Sequence, residues 1–274
     1  MVTKIIGVGD IHIRNLKRLK EYKLKLERFI DKAREISSSN GNENTRIVVT
    51  GDVFHSKTDI SPEAYYLASW FMRSLGHVAK TIVIAGNHDM SANEERMDPL
   101  TTIFSISSFD NVYYLDQACS YDSTCMKDEN IVWCLYSAFN GFSKPKIEEY
   151  KVKYPELTYV GLFHGCMKNA KTDAGYQSET GMEPSYFDGI DFGIFGHIHK
   201  RQCIKYHGIP LVYCGSLIQQ DFGENLSGHG FLVFDVKNKT YETFDFADDE
   251  YGFYNFKIDK EDDIENDLEE IINL

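Results

Sequence analysis

Lys4-Ile5-Ile6-Gly7-Val8-Gly9-Asp10-Ile11-His12 opens as a short apolar run and closes on a carboxylate and an imidazole two residues apart. The five-residue run Lys4 to Val8 before a glycine is too short for a helix and reads as a buried strand whose carboxyl end carries the polar pair. The same order recurs along the chain. Residues 46–50 lead into Gly51-Asp52-Val53-Phe54-His55, 81–85 into Gly86-Asn87-His88-Asp89, 158–163 into His164, and 191–195 into Gly196-His197-Ile198-His199. Open α/β sheets hold ligands beyond the carboxyl ends of their strands, so these five stretches are expected to converge on one crevice.

The residue types point to a metal site. Carboxylate and imidazole donors together suit Mn, Zn or Fe, whereas an all-oxygen set suits Mg or Ca. In Asp10-x-His12 two side chains on one face can grip an ion together, and His197-x-His199 repeats the arrangement. Asp52 has two oxygens with which to bridge a pair of ions, and Asn87 offers a neutral carbonyl oxygen. Two ions ~3.5–4 Å apart lower the pKa of a shared water and clamp a phosphate for in-line displacement. Taken singly each motif reads as well as a turn acid or a core histidine. Six of the nine histidines fall inside the motifs, however, and all stand at strand ends. His77, His207 and His229 lie outside them and are assigned no role.

A chain of 274 residues can bury one large core. No apolar run approaches the ~20 residues of a membrane helix, and the N-terminus runs directly into the strand that delivers Asp10, so neither a membrane span nor a secretory signal is expected. Cys119, Cys125, Cys134, Cys166, Cys203 and Cys214 form no CxxC pair, which fits reduced thiols in a cytoplasm. Cys166, two residues from His164, reads as a small buried hydrophobe rather than a ligand. The formal charge of −13 argues at first against a nucleic-acid partner. Twelve acids and two lysines from Asp245 to Leu274 account for −10 of it, leaving −3 on the body.

Residues 15–36 place Leu16, Leu19, Leu26, Phe29, Ile30 and Ala33 at helical spacing, and the polar run Ser37-Ser38-Ser39-Asn40-Gly41 is expected to end that helix. Ser61-Pro62 and Asp98-Pro99 set a capping residue before a proline and start two more helices, through Leu75 and to about Ser107. Beyond Tyr113 come short strands at 131–136, 202–206, 211–214, 230–235 and 241–246, and a long polar loop at 168–181 beside the crevice. The pattern predicts a four-layer α/β/β/α sandwich, two mixed sheets flanked by helices, over residues 1–250. In residues 251–274, 251–258 alternate like a strand and Ile264, Leu268, Ile271 and Ile272 form a helical stripe. They read equally as elements awaiting a partner surface and as a helix packed on its own domain or a frayed tail.

Together, DxH, GDxxH, GNHD, a lone His and GHxH over residues 10–199 resemble the calcineurin-like metallophosphoesterase superfamily. Three further stretches resemble the SbcD-type nuclease of double-strand-break repair: Asp10-Ile11-His12-Ile13-Arg14-Asn15, the segment 187–202, and Tyr213-Cys214-Gly215-Ser216 with Asp221-Phe222-Gly223-Glu224. The resemblance implies one metal on Asp10, His12, Asp52 and His199 and a second on Asp52, Asn87, His164 and His197. It makes His88 the non-ligand histidine that stabilises the transition state or protonates the leaving oxygen, and His55 a group that places the scissile phosphate. Asp89 is expected to orient His88 by accepting its second N–H.

The expected cofactors are two divalent ions, Mn first, with Mg, Fe and Zn as alternatives. The expected partners are DNA and an SbcC-type SMC-like ATPase, in a bacterial or phage-infected cytoplasm. Such nucleases usually continue into a DNA-capping domain and an ATPase-docking segment, of which residues 251–274 resemble only the first strand and helix. They also dimerise through helices matching 62–75 and 99–109, where Tyr65, Tyr66, Trp70, Phe71, Met72, Leu100, Ile103, Phe104 and Ile106 offer apolar surface, unless burial against the sheet uses it. The resulting expectation is a Mn-dependent DNA nuclease, exonucleolytic on duplex ends and endonucleolytic on single strands. A phosphodiesterase or phosphatase for a small molecule or phosphoprotein, and a non-catalytic scaffold on the same fold, are the rivals.

Overall fold

Strand β1 (Lys4–Val8) and its parallel neighbours β2 (Thr45–Val49), β3 (Lys80–Val83) and β4 (Val112–Tyr114) form most of the first sheet of a computed structural model that describes residues 1–90, 97–246 and 251–254. Two later strands, β11 (Gly230–Asp235) and β12 (Thr240–Asp245), return to this sheet and pair antiparallel beside β1, giving the order β12-β11-β1-β2-β3-β4. The second sheet runs β5-β6-β7-β8-β10-β9. Its parallel centre is β6 (Ile131–Tyr136), β7 (Thr158–His164), β8 (Phe192–Gly196) and β10 (Ile209–Tyr213). Antiparallel β5 (Thr124–Asp128) and β9 (Gln202–Tyr206) close its edges.

Strand periodicity sorts these apolar runs onto two faces. Ile131, Trp133 and Leu135 of β6 meet Ile5, Val48 and Ile82 of the first sheet in the layer between the sheets. Val132, Cys134 and Tyr136 face outward. The outer face of the first sheet lies under α1 (Leu19–Asn40), α2 (Pro62–Gly76) and α3 (Pro99–Ile106). The second sheet's outer face is covered more thinly, by α5 (Ile147–Lys153), a short 3-10 turn at Pro184–Phe187, and Met167 and Ala170 of the loop after β7. The one-turn helix α4 (Leu115–Ala118) follows β4. The four-layer architecture is as expected. Among the described residues no helix is long and apolar enough to cross a membrane.

Ser61 and Asp98 cap α2 and α3 as expected, their side chains accepting the Ala64 and Thr101 N–H groups. Helix α1 departs from expectation at both ends. It starts four residues late because Leu16 and Arg18 take left-handed φ of 52° and 55°. It runs on through the serines because Ser37 is buried and bonds to the Val78 carbonyl at 3.2 Å, a tertiary contact that outweighs poor helix propensity. Phe71, Met72, Leu100 and Ile103 are buried against the sheet, so only part of the apolar surface offered for a dimer remains outside: Tyr66 is 73% exposed and Ile106 79%. Of the expected strand at 251–258 only 251–254 are described, and the helix expected at 261–274 lies outside the described residues.

Candidate metal centre

The carboxyl ends of both sheets meet at one place. Beyond β1 and β2 the chain makes two turns side by side, with His12 N–H donating to the Asp52 carbonyl at 2.9 Å, Ile13 N–H to Val53 at 2.9 Å, and His55 N–H back to Ile13 at 3.1 Å. Asp10, His12, Asp52 and His197 have φ of 48°, 53°, 50° and 92°. The left-handed backbone is costly for non-glycine residues and clusters where function over-determines the geometry. It also overturns the picture of Asp-x-His as an extended strand end: the two side chains converge from a turn. A Cβ on Gly86 would overlap the Asp52 carboxylate, so only glycine lets the Asn87 turn come this close.

All seven expected ligands are brought together. Asp10, His12 and His199 form one group and Asp52, His164 and His197 another, each with ligand atoms within 4.8 Å of one another. Asp52 Oδ2 lies between them, 3.5 Å from His12 Nε2 and 3.2 Å from His164 Nε2. Asn87 Oδ1 joins the second group, 2.7 Å from His197 Nδ1 and 3.2 Å from His164 Nε2. His197 and His199 therefore do not grip one ion together, as reading the residues alone suggested. They diverge to the two groups because the left-handed turn at His197 ends the strand alternation.

The donor set fits a pair of cations. His164 Nδ1 donates to the Thr50 carbonyl at 2.6 Å, and His199 Nδ1 is committed to Glu224 Oε1 at 2.5 Å, so each presents Nε2 to the crevice. His12 Nε2 and His199 Nε2 stand only 3.0 Å apart, an approach that needs a proton or a cation between two lone pairs. Burial, reinforced by nearby imidazoles against the pull of Asp52, holds His12 well below the usual histidine range, and burial with His164 brings His197 down to about 4. Burial acts against the charge on Asp52, but His164 and His12 outweigh it and hold the carboxyl below the usual range. Burial likewise opposes the His164 charge, and Asp52 overcomes it to raise His164 to about 9. Asp10 is pushed up to about 6, chiefly by burial. A divalent ion would take the place of the proton on His164 and meet the already neutral His12 and His197 and the buried Asp10 carboxyl.

His88 sits beside the first group. Its Nδ1 donates to the His55 carbonyl at 2.6 Å and its main-chain N–H to Asp52 Oδ1 at 2.8 Å. Its ring meets His12 edge-on at 4.7 Å and stacks on His55 at 5.6 Å. Asp89 does not orient His88, contrary to expectation. Its carboxylate is buried and accepts the main-chain N–H groups of Val53, Phe54 and Gly86 at 3.1–3.2 Å, welding the second and third turns together. Burial and Asp52 raise it to about 7 against those donors. The residue that does orient a site imidazole is Glu224, to which sequence reasoning gave no role although its Phe-Gly-Glu segment had been noticed. His229, also unassigned, is buried and bonded to Ser216 Oγ at 2.9 Å and to the Asn225 carbonyl at 2.6 Å, bracing the Glu224 loop. His77 and His207 are exposed at a helix end and a turn. Cys166 belongs to neither ligand group, bonds to Ser178 Oγ at 3.1 Å, and is half-buried rather than buried.

A paired acid and imidazole centre at the carboxyl ends of two facing mixed sheets defines a dinuclear metallohydrolase. Residues 3–201 match the model of the calcineurin-like phosphoesterases, and the chain belongs to that family of metal-dependent phosphoester hydrolases, which work with dimetal centres. It is 35% identical over 263 residues to the uncharacterized protein R555 of Acanthamoeba polyphaga mimivirus, covering 93% of this chain and 19% of that protein. It is 25% identical over 242 residues to 078R of Invertebrate iridescent virus 3, which carries a phosphoesterase name, covering 87% of this chain and 64% of that protein. The chain thus spans less than two thirds of either relative. Among solved structures it resembles GAP50, the anchor in the inner membrane complex of Plasmodium, with a TM-score of 0.50 at 12% identity, covering 84% of this chain and 80% of that one. At that identity the likeness is one of fold.

Proposed function

We propose that this chain is a Mn-dependent DNA phosphodiesterase of the SbcD type, cleaving duplex ends exonucleolytically and single strands endonucleolytically. It would act as a homodimer in the cytoplasm with an SMC-like ATPase that opens or presents DNA. The observation that carries this reading beyond phosphoesterases in general is the support around the ligands. The segments that resemble SbcD-type nucleases are the ones that brace the metal centre. The Tyr213 hydroxyl donates to the Gly165 carbonyl and accepts the Met167 N–H, both at 2.8 Å, fixing the chain just after His164. Ser216 supports His229, and Glu224 fixes His199.

Bound cations would draw charge from the phosphate oxygens and lower the pKa of a water to a usable range. The protein's part is to hold them, with Asp10, His12, Asp52 and His199 on one side and Asp52, Asn87, His164 and His197 on the other. Both N–H groups of His88 already discussed are occupied, so its remaining Nε2 is the atom that can deliver a proton to the leaving oxygen. His55, stacked on His88, is the second imidazole at the edge of the first group and is assigned to placing the phosphate. The body's charge of −3 outside the acidic C-terminal stretch leaves phosphate attraction chiefly to the cations, with Lys200 lining the cleft beside His197 and His199.

The test is cleavage of end-labelled duplex and circular single-stranded DNA with Mn, alongside bis-p-nitrophenyl phosphate, for the wild type and His88→Gln. DNA cleavage that is lost in the variant supports the nuclease. Hydrolysis of the small ester with DNA untouched, and unchanged on adding an SbcC-type ATPase, replaces it with a phosphodiesterase for small molecules.

A further inference from the structure

Cys125 and Cys134 face each other across the hairpin of β5 and β6. The register sets them directly opposite, between the pairs Thr124–Leu135 and Met126–Trp133. Their sulfurs lie 3.9 Å apart, and both residues are buried. All six cysteines are free thiols, and among the described residues no other two cysteine sulfurs are in such contact. Both ends of the hairpin are pinned, so the register does not slip. At the turn, Val2 N–H donates to Asn130 Oδ1 at 2.6 Å and Asn130 Nδ2 donates back to the Val2 carbonyl at 3.0 Å. At the open end, Ser123 Oγ accepts the Ser137 N–H at 3.1 Å.

Side chains at directly opposite positions of antiparallel strands have Cβ atoms about 4.5–5.5 Å apart, and a disulfide needs about 3.5–4.5 Å. Closing a bond therefore asks the strands to approach by roughly an ångström while the two side chains turn toward each other. Strand β5 can supply that movement, because it is the edge of its sheet and has β6 as its one strand neighbour. The thiols also lie on the thinly covered outer face. Local opening of such an edge gives a small oxidant access to sulfurs that are otherwise buried. Contact with the Cys134 sulfur holds the Cys125 thiol below its usual range, and burial takes Cys134 well above its own. Cys125 is thus the sulfur that attacks first. Two small hydrophobes packed across a hairpin are the rival use of the same pair.

We propose that Cys125 and Cys134 form a reversible cross-strand disulfide that fastens β5 to its sheet when the chain meets a low-molecular-weight disulfide such as oxidised glutathione. The Cys125 thiolate attacks one sulfur of that disulfide, releases a glutathione thiolate and carries the other glutathione as a mixed disulfide. Cys134 then gives up its proton and attacks Cys125 Sγ, forming the protein Sγ–Sγ bond and releasing the second glutathione. Two protein thiols are oxidised, one glutathione disulfide is reduced to two thiols, and the two protons end on them. Excess thiol reverses both steps, so the pair stays open wherever glutathione is kept reduced. The ring closed by the bond lies within one hairpin. Its effect is local, suppressing the opened states of an edge that could otherwise pair with another chain.

The experiment incubates the wild type, Cys125→Ser and Cys134→Ser with oxidised glutathione at a urea concentration below the unfolding transition, where the edge opens and the fold holds. Intact mass is read first. Digestion with trypsin and a protease that cuts before aspartate then places Cys125 on peptide 122–127 and Cys134 on 128–146, apart from the other four cysteines. The wild type should lose two hydrogens and show these two peptides joined, and amide exchange over Thr124–Asp128 should slow about tenfold or more. Dithiothreitol should restore both mass and exchange. Neither serine variant should lose mass, and Cys134→Ser should keep one glutathione on Cys125. A wild type that stays reduced, or that links only above the unfolding transition, overturns the inference. So does a link from either residue to Cys119, Cys166, Cys203 or Cys214, or a link that leaves the exchange of β5 unchanged. If a serine variant does not fold, the wild-type peptide map and exchange decide alone.

Discussion

The two ends of this sandwich both bury aspartates, and they neutralise them in opposite ways. At the amino ends of the strands Asp128 receives Arg46 through Nε at 2.8 Å and Nη2 at 3.0 Å, Lys80 at 2.9 Å and the Trp133 indole N–H at 3.2 Å. Arg46 belongs to the first sheet and Asp128 to the second, so this cluster rivets the layers together. At the carboxyl ends Asp10, Asp52 and Asp89 are just as buried, but the partners supplied are imidazoles and main-chain N–H groups, with no lysine or arginine bonded to any of the three among the described residues. A burial pattern closed by fixed cations at one end and by imidazoles that can exchange a proton for a metal ion at the other separates structural charge from charge suited to a cation.

The largest effects should therefore fall on the cation-dependent end and leave the fold intact. Asp52→Asn removes the bridging charge. Bis-p-nitrophenyl phosphate hydrolysis should drop about a thousandfold or more, since several kcal/mol of charge stabilisation is lost, and elemental analysis should find at least one metal missing. His88→Gln should lose about a hundredfold to ten-thousandfold in rate with both metals kept. Equal metal loss in the two variants would erase the division between ligand and proton donor. Next, Arg46→Met should lower the unfolding free energy in urea by about 3–5 kcal/mol, because it strips a buried carboxylate of its main partner, while kcat/KM on the small ester stays unchanged. A parallel fall in activity would show that the two ends are not independent. Glu224→Gln should weaken metal binding about tenfold to a hundredfold by loosening His199, as read by metal titration.

The smallest effect sharpens the contrast through pH. Asp116 is buried like Asp128, but its partners are neutral, the Ala85 N–H at 2.7 Å and the Ser137 hydroxyl at 2.5 Å. Burial raises it to about 6, whereas Arg46 and Lys80 overcome burial and hold Asp128 at about 2. A raised carboxyl costs stability above its folded pKa and is relieved as pH falls from above 6 toward 4. A depressed one stabilises above about 4 and loses that contribution as pH falls toward 2. Asp116→Asn should thus change stability at pH 7.5 by no more than about 1 kcal/mol and flatten the rise between pH 7 and 5 in urea titrations. Asp128→Asn should be strongly destabilising at pH 7.5 and flatten the loss below pH 4.

The sequence was readable wherever structure is set locally. The limits of β1, β6, β9 and β11 follow from apolar runs bounded by turns, and the starts of α2 and α3 from a capping residue before proline. The seven residues expected to hold metal were picked out because acids and imidazoles recur at strand ends in motifs that resemble a known family, and their ligand atoms lie together in the crevice. What escaped depends on partners far away in the chain. Strand β5 exists because β6 pairs with it, and α5 buries only Ile147, too little to leave a periodic signal. Nothing near Arg46 announces Asp128, 82 residues on. Asp89 was misread because proximity in Asn87-His88-Asp89 suggested a pairing that its main-chain donors pre-empt.

The return of β11 to the first sheet bears on how the chain is made. β1 leaves the ribosome well before β11, so one of its edges stays unpaired until Gly230–Asp235 follows it out. During that interval Lys4–Val8 presents an apolar, open strand edge, the kind of surface that invites pairing with another chain. The metal ligands are spread in the same manner, from Asp10 to His199, and Glu224 arrives later still. A folding chain therefore gains its proposed cation clasp and the second pairing of β1 almost together, only after the segment from Asp10 to Gly230–Asp235 is in place.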